Sequence, residues 1–258
     1  MAYWQDRFAA SQSIKTKKTI KQIKKQLSKY YAITAKQVID DFENTYLKLL
    51  ETVEKGKQPT PADLYKLDKY WQLQGQLREQ LRSLGEKEVV LLTKYFELNF
   101  FDVYYAIEID GAAAFNTLDK ETVSQMINHI WCADGKSWSQ RIWEDTDALA
   151  ATLNEQLINT VAAGRKTTEL KHLLQDRFGV SYSRADALVR TETAHIQTQA
   201  AQKRYEDYGL KEVEVWVDED ERTCPVCSQL EGKRIPIHGV MPVPAHPRCR
   251  CCIIPVVE

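Results

Sequence analysis

Near its C-terminus the chain carries two pairs of metal-binding residue types, and in each pair two residues separate the members. The first pair is Cys224 and Cys227, and after eighteen further residues come His246 and Cys249. This spacing is typical of tight turns that present two donors to one ion, and zinc prefers four thiolate and imidazole ligands in a tetrahedron. The pattern therefore predicts a closed, structural zinc site.

Other ligand sets remain open at this point. Cys251 lies two residues after Cys249, so in an extended segment both side chains would face the same side. His238 is a further candidate, whereas Cys252 would point the other way and is predicted to be a small core residue. A disulfide cluster and buried reduced thiols are the alternatives to a metal. We favour a metal because five of the six cysteines lie between residues 224 and 252, beside a histidine at matching spacing.

The sequence around these ligands has the alternation of β-strands. Valines occupy every second position from Val213 to Val217. Residues 232–237 predict a second strand, which Pro236 places at an edge, and residues 252–257 predict a last one. A segment this short and polar cannot fold by burial alone, and a structural zinc contributes on the order of 10 kcal/mol. We expect a small sheet, stapled by zinc and packed on the preceding helices.

The composition describes a globular chain without a membrane segment. Its 258 residues suffice for one large or two modest domains, and the net charge of −1 does not by itself indicate a nucleic-acid partner. There is no run of eighteen apolar residues, and the N-terminus lacks the apolar core of a secretion signal. In such a chain thiols favour metal binding over disulfides, so folding in a reducing cytoplasm is expected.

A basic amphipathic helix is predicted near the N-terminus. Residues 7 to 39 contain no Asp or Glu, and Ile20, Ile23 and Leu27 follow helical spacing. The opposite side of this helix carries five lysines, Lys17, Lys18, Lys21, Lys24 and Lys25. Such a stripe is either a solvated face or a contact for phosphates or for an acidic protein surface, which lysines neutralise without reading sequence.

Helical periodicity continues through most of the chain to about residue 208. Thr60 and Pro61 have the residue types of a helix start, because threonine caps and proline suits the first turn. Glycines predict where helices end or are interrupted, at Gly85, Gly164 and Gly179.

A run of small residues at 111–118 is the best domain boundary in the sequence. The resulting prediction is an α+β, predominantly helical fold with long N-terminal helices. Residues 1–110 would form the helical N-terminal region, residues 111–134 a connecting segment, and residues 135–258 a helical domain that ends in the zinc-stapled sheet.

A polar triplet, Arg190-Thr191-Glu192, lies in the last predicted helix, with His195 one turn beyond Thr191. Arginine, glutamate and histidine could form a catalytic trio. In an alanine-rich helix, however, an inward Arg–Glu pair more often ties elements together. The hypothesis we favour is that Arg190 or Glu192 holds the loops of the zinc unit by hydrogen bonds and so orients the metal ligands.

The order of these motifs resembles the phage Mu F-like family of minor head proteins, which act in phage head morphogenesis. It is carried by a tryptophan-bearing helix at 137–142, by Arg190–Glu192, and by the cysteine and histidine segments 220–227 and 244–251. The most distinctive part is a final H-P-x-C-R-C after D-x-R-T-C-x-x-C. The resemblance covers about residues 135 to 258.

The resemblance implies a structural protein, not an enzyme. It would be made in the host cytoplasm and located in the virion, inside the capsid at the portal vertex. Its implied partner is the portal protein, with phage DNA and the scaffold or major capsid protein as further candidates and no membrane, and its implied role extends to DNA packaging or ejection. Some relatives carry toxin domains after this module; because the sequence ends at Glu258, directly after the last strand, none is expected here.

Two other functions remain open. One is a zinc-containing DNA-binding protein, for which Lys233, Arg234, Arg248 and Arg250 provide some positive charge near the cysteines. The other is a nuclease of the His-Asn-His kind, which needs a catalytic His, an Asn or second His, and a further divalent ion. The sequence has no Asn between residues 216 and 258, which weakens the nuclease hypothesis.

Overall fold

The computed structural model describes the backbone of residues 2–54, 57–109, 117–217, 220–221 and 223–256, and side chains from residue 18 onward within these ranges. The helices are α1 (Ala2–Thr52), α2 (Pro61–Tyr65), α3 (Asp68–Ala106), α4 (Lys120–Ile127), α5 (Trp138–Ala162), α6 (Thr167–Asp207) and α7 (Pro225–Ser228). The strands are β1 (Glu212–Trp216), β2 (Arg234–Pro236) and β3 (Cys252–Pro255). The predicted α+β fold, mainly helical with long N-terminal helices and a small C-terminal sheet, is confirmed.

Capping chemistry sets the start of α2, as the sequence predicts. The Thr60 side chain accepts from the backbone N–H of Asp63, and the Asp63 carboxylate accepts from the backbone N–H of Thr60 at 3.1 Å. These reciprocal bonds satisfy donors that a helix start leaves without partners, and Pro61 follows at the first position.

Two of the three predicted glycine breaks are wrong. Helix α3 runs through Gly85 and α6 runs through Gly179, whereas Gly164 does follow a helix end, with φ +61°. A helical glycine costs only about 1 kcal/mol relative to alanine, so apolar contacts on either side of it outweigh its propensity. At Gly85 the missing side chain has a use, because a Cβ there would lie 2.8 Å from Cζ3 of Trp143.

The sheet is antiparallel, with strand order β2-β1-β3. Val213 lies opposite Ile235 on β2, and Val215 lies opposite Ile253 on β3; all four are buried. Pro236 lies in the edge strand β2, as predicted, where its missing N–H breaks no ladder.

One compact unit of the chain consists of Lys24–Val90 and Ser139–Ala185. Its core is a continuous cluster of buried leucines and aromatic residues at helical spacing, including Phe42, Leu77 and Leu157. This unit also buries the carboxylate-bearing side chain of Glu88, which is 3% exposed.

The other unit consists of Met1–Ile23, Leu91–Trp138 and Asp186–Glu258, and it contains the sheet and all five C-terminal cysteines. In this unit α6 is bonded to the sheet region. Gln202 donates to the carbonyl of Ile237 at 2.6 Å.

The predicted boundary at residues 111–118 falls largely on residues 110–116, which lie outside the described part of the chain. The division into residues 1–110, 111–134 and 135–258 remains a prediction. Within the described ranges, none of the helices has both the length and the apolar character that crossing a bilayer requires.

Candidate metal centre

The first cysteine pair is arranged by the one-turn helix α7. Cys224 is its N-cap and Pro225 occupies its first turn. The backbone N–H of Cys227 donates to the sulfur of Cys224 at 3.4 Å, so the turn itself places both sulfurs on one side. Cys227 is buried and Cys224 is half-buried.

The second pair is arranged by a tight turn in the loop before β3. The backbone N–H of Cys249 donates to the carbonyl of His246 at 3.1 Å, and Arg248, between them, has φ +63°. Nδ1 of His246 lies 2.9 Å from the carbonyl oxygen of Pro247. That contact fixes the imidazole so that its other nitrogen faces the cysteines, a common arrangement of metal-ligating histidines.

These turns bring the predicted donors into two groups that share Cys227. Nε2 of His246 lies 3.3 Å from the sulfur of Cys224 and 3.2 Å from that of Cys227, and the sulfurs of Cys227 and Cys249 are 3.7 Å apart. Two sulfurs bound to one tetrahedral zinc would be about 3.8 Å apart, and a sulfur and a nitrogen about 3.5 Å. These three distances are therefore close to those of a tetrahedral zinc site.

Cys251 also belongs to the cluster. The donor atoms of Cys224, Cys227 and His246 lie within 4.8 Å of one another, and so do those of Cys227, Cys249 and Cys251. Cys249 is thus grouped with Cys227 and Cys251, and His246 with Cys224 and Cys227.

Hydrogen bonding distinguishes the two neighbouring thiols. A hydrogen bond from Cys251 lowers the pKa of Cys249 from 9.0 to about 5, and the same bond raises the pKa of Cys251. This favours Cys249 as the thiolate and Cys251 as a neutral donor to it. Burial raises the pKa of Cys227 to about 11, so this thiol needs a cation beside it to ionise.

An ion pair links the residues before the first turn to those after the second. Arg250 donates through Nη1 and Nη2 to the two carboxylate oxygens of Asp220, at 2.8 and 2.5 Å. Both side chains are about one-third exposed, and the bidentate geometry orients both loops. Arg222, the other charged member of the D-x-R-T-C motif, lies outside the described residues.

The three residues of the polar triplet of α6 make different contacts. Nε of Arg190 donates to Asp186 at 3.2 Å, and buried Glu192 accepts from the indole N–H of Trp131 at 3.1 Å. Thr191, between them, meets the second turn: its hydroxyl accepts the backbone N–H of Arg248 at 3.1 Å.

His195 is packed as a core residue. Its ring stacks on Trp131 with centroids 4.3 Å apart, and its Nε2 has no hydrogen-bond partner among the described residues. Burial lowers its pKa from 6.5 to about 4, so the ring is neutral at physiological pH.

The remaining candidates lie apart from these contacts. The His238 side chain is 78% exposed and lies 3.6 Å from Glu206, and Cys252 begins β3. Among the predicted contact lysines, Lys18, Lys21 and Lys25 are exposed and Lys24 is half-buried; the side chain of Lys17 lies outside the described residues.

Sequence reasoning missed Thr191, Asp220 and Trp131 as residues that contact the centre or its supporting helix. In the sequence, Thr191 stands out only because it lies between two charged residues. Asp220 stands out only as an acidic residue before the first cysteine. Neither signal identifies a partner dozens of positions away.

Comparisons with known proteins agree with the motif resemblance. The family described as "Phage Mu protein F like protein" matches residues 151–254. A curated relative from Enterococcus faecalis, "NAD(+)--arginine ADP-ribosyltransferase EFV", is 23% identical over 185 residues, covering 64% of this chain and 38% of the relative. The chain thus spans less than half the length of that relative, and no solved structure matches it.

The matched range contains both turns, the Asp220–Arg250 pair, α6 from Thr167 to Asp207 and almost the whole sheet. Over residues 151–254 the chain therefore matches the phage Mu protein F-like family, a family of phage head morphogenesis proteins.

Proposed function

We propose that the protein is a structural minor head protein of a tailed bacteriophage, associated with the portal and without catalytic activity of its own. The observation that carries this proposal is the family match over residues 151–254, which covers the metal centre and the helix beside it. The polar residues of that helix support a structural role, because Arg190, Thr191 and Glu192 are engaged in contacts within the fold.

The metal in this proposal is zinc, held by Cys224, Cys227, His246 and Cys249. When bound, zinc supplies charge neutralisation for the thiolates and a cross-link between two loops. Helix α7 and the His246–Cys249 turn present the donors. The Asp220–Arg250 ion pair links the residues before the first turn to those after the second. Four protein donors leave no position for a substrate or an activated water, as in structural zinc sites.

The proposed location is the virion, inside the capsid at the portal vertex, after assembly in the host cytoplasm. The exposed lysines of α1 suit either packaged DNA or an acidic portal surface, and the near-zero net charge favours neither. A role in DNA packaging or ejection belongs to this proposal.

Co-purification tests the proposal directly. The protein would be expressed from its own phage operon with a tag on the portal protein, and mature particles would be analysed by mass spectrometry. We expect it to co-purify with the portal and to be present in particles at low copy number. Particles that assemble, package DNA and contain none of this chain would refute the assignment.

ADP-ribosyl transfer is the second candidate, and the Enterococcus faecalis relative is the observation that favours it. Because this chain spans 38% of that protein, the shared part need not be the part that reacts with NAD⁺. Incubation with a biotin-labelled NAD⁺ and poly-arginine distinguishes the two. We expect no labelling; transfer above a heat-inactivated control would establish an enzyme.

A nuclease or DNA-binding role remains testable on the same preparation. His238 lies in the cysteine region but is not one of the proposed zinc ligands. Its side chain is largely exposed and lies beside Glu206. Plasmid incubated with Mg²⁺ or Mn²⁺ should stay intact. Metal-dependent nicking that His238→Ala abolishes would favour the nuclease.

A further inference from the structure

We propose that Thr191 is a positioning residue of the metal centre: its hydroxyl holds the His246–Cys249 turn in the conformation that presents both ligands to one ion. The inference rests on the proposed zinc site and concerns a residue outside the donor set. It starts from the backbone of the turn, where Arg248 has φ +63°.

That conformation is unfavourable for a residue with a side chain. A non-glycine residue in the left-handed region costs on the order of 1 kcal/mol and persists when its surroundings hold it there. Glycine would adopt the same φ without strain. Because the turn uses arginine, a contact that holds this conformation would offset the cost.

Helix α6 supplies two contacts, and both end on Arg248. The backbone N–H of Arg248 donates to Oγ1 of Thr191 at 3.1 Å. The guanidinium of Arg248 lies 3.9 Å from the carboxylate of Asp186, which also accepts from Arg190. One contact restrains the backbone and the other the side chain of the same residue.

The Thr191 hydroxyl is oriented for this task. It donates its single hydrogen to the carbonyl of Ala187 at 2.7 Å, one turn earlier in α6. That bond leaves the oxygen lone pairs facing outward, where the N–H of Arg248 meets them. The helix therefore fixes the acceptor before the loop reaches it.

The triplet that the sequence singles out thus acts through its middle member. Arg190 reaches the turn indirectly, through Asp186, and Glu192 bonds with Trp131. Thr191 accepts a hydrogen bond directly from the backbone of Arg248, which lies between the ligands His246 and Cys249 in the turn.

The test is to measure the zinc affinity of the full chain, with a chelator that competes with the protein for Zn²⁺. Thr191→Val keeps the shape and removes the hydroxyl, and Thr191→Ser restores it. Thr198→Val is the matched control, because Thr198 makes the same bond to the carbonyl four residues earlier, Ala194, at 3.1 Å.

We expect Thr191→Val to weaken zinc binding about 10- to 100-fold, the usual effect of losing a group that orients metal ligands. Thr191→Ser should bind within a few-fold of the wild type, and so should Thr198→Val. Equal affinities for Thr191→Val and the wild type would overturn the proposal, as would an equal loss in Thr198→Val.

A measurement on the wild type alone keeps the proposal testable if the variant does not fold. In the zinc-loaded protein, hydrogen exchange at the backbone amide of Arg248 should be strongly protected; exchange at the rate of an open loop would refute the bond. A wild-type chain that binds no zinc would instead refute the zinc site itself. The two failures are therefore distinguishable.

Discussion

The thiols of Cys249 and Cys251 differ in chemistry although one residue separates them. A hydrogen bond from Cys251 lowers the pKa of Cys249 and raises that of Cys251, so one is prepared as a thiolate and the other as its neutral donor. Sequence spacing favoured Cys249 as the ligand but left Cys251 as an alternative, because both would face one side of an extended segment. The difference arises from the tertiary arrangement around Cys227.

This difference predicts which thiol the metal needs. Cys249→Ser should reduce bound zinc well below one ion per chain, since the Cys227–Cys249 edge of the tetrahedron is lost. Cys251→Ser should retain zinc, because serine can still donate a hydrogen bond to Cys249. Elemental analysis of both variants, with Cys132→Ser as a control outside the cluster, checks this. Retention in Cys249→Ser with loss in Cys251→Ser would reverse the assignment.

Glu88 predicts a pH dependence of stability in the helical unit of Lys24–Val90 and Ser139–Ala185. Burial raises its pKa from 4.5 to about 7, Asp145 adds to the rise, and a hydrogen bond from Tyr31 opposes it. The folded state then holds a proton that the unfolded state releases. This contribution is fully present below about pH 4.5 and is lost as pH rises to about 7, by up to about 3 kcal/mol.

Glu88→Gln should remove this contribution and stabilise the protein at pH 8 relative to the wild type. Urea unfolding of both proteins from pH 5 to pH 8 measures it as a difference that grows with pH. Glu86→Gln is the matched control, because Glu86 is exposed and pairs with Arg82 on the same helix. A pH-independent difference for Glu88→Gln would contradict a raised pKa.

Continuous long helices are the main feature at the scale of elements. Start signals such as the Thr60 cap were readable from the sequence, because a cap is a local arrangement of a few residues. Helix continuation through Gly85 and Gly179 was not, because it depends on contacts with residues far along the chain. The two turns that carry the cysteine and histidine pairs were readable for the same reason as the caps, whereas the Thr191 contact spans 57 positions.

The two glycines of α3 give a prediction at this scale. At Gly75 an added Cβ meets no atom within 4 Å, so Gly75→Ala should stabilise the protein by about 0.5–1 kcal/mol. At Gly85 the Cβ would lie 2.8 Å from the Trp143 ring and 3.2 Å from the Thr146 hydroxyl, so Gly85→Ala should destabilise it by about 1–3 kcal/mol. Denaturant unfolding of both variants gives the signs. A stabilising Gly85→Ala would show that the indole can move away.

For the whole molecule, the sequence predicted the fold class and the family of the C-terminal part, because both depend on periodicity and on motif spacing. It assigned no partner to the lysine stripe of α1. The side of α1 opposite the lysines is buried at Ile23 and Leu27, so the positive charge is confined to one face.

Neutralising this stripe tests the DNA alternative. Three exposed lysines of α1 would be changed to glutamine: Lys18, Lys21 and Lys25. Three exposed lysines of other helices serve as the control: Lys69, Lys87 and Lys171. If the stripe binds phosphates, the slope of log affinity against log salt should fall by about 3 for the α1 set alone. Unchanged binding in the α1 set would rule out phosphate contact and leave an acidic portal surface or a solvated face.

The central prediction is that one metal ion joins the two loops at the C-terminal end of the chain. Elemental analysis of native protein purified without chelator, followed by unfolding before and after metal removal, measures this directly. The account predicts about one zinc per chain and, after removal, a large loss of stability in the β1–β3 sheet. A chain that contains no metal and retains the same sheet and the same unfolding midpoint would contradict it.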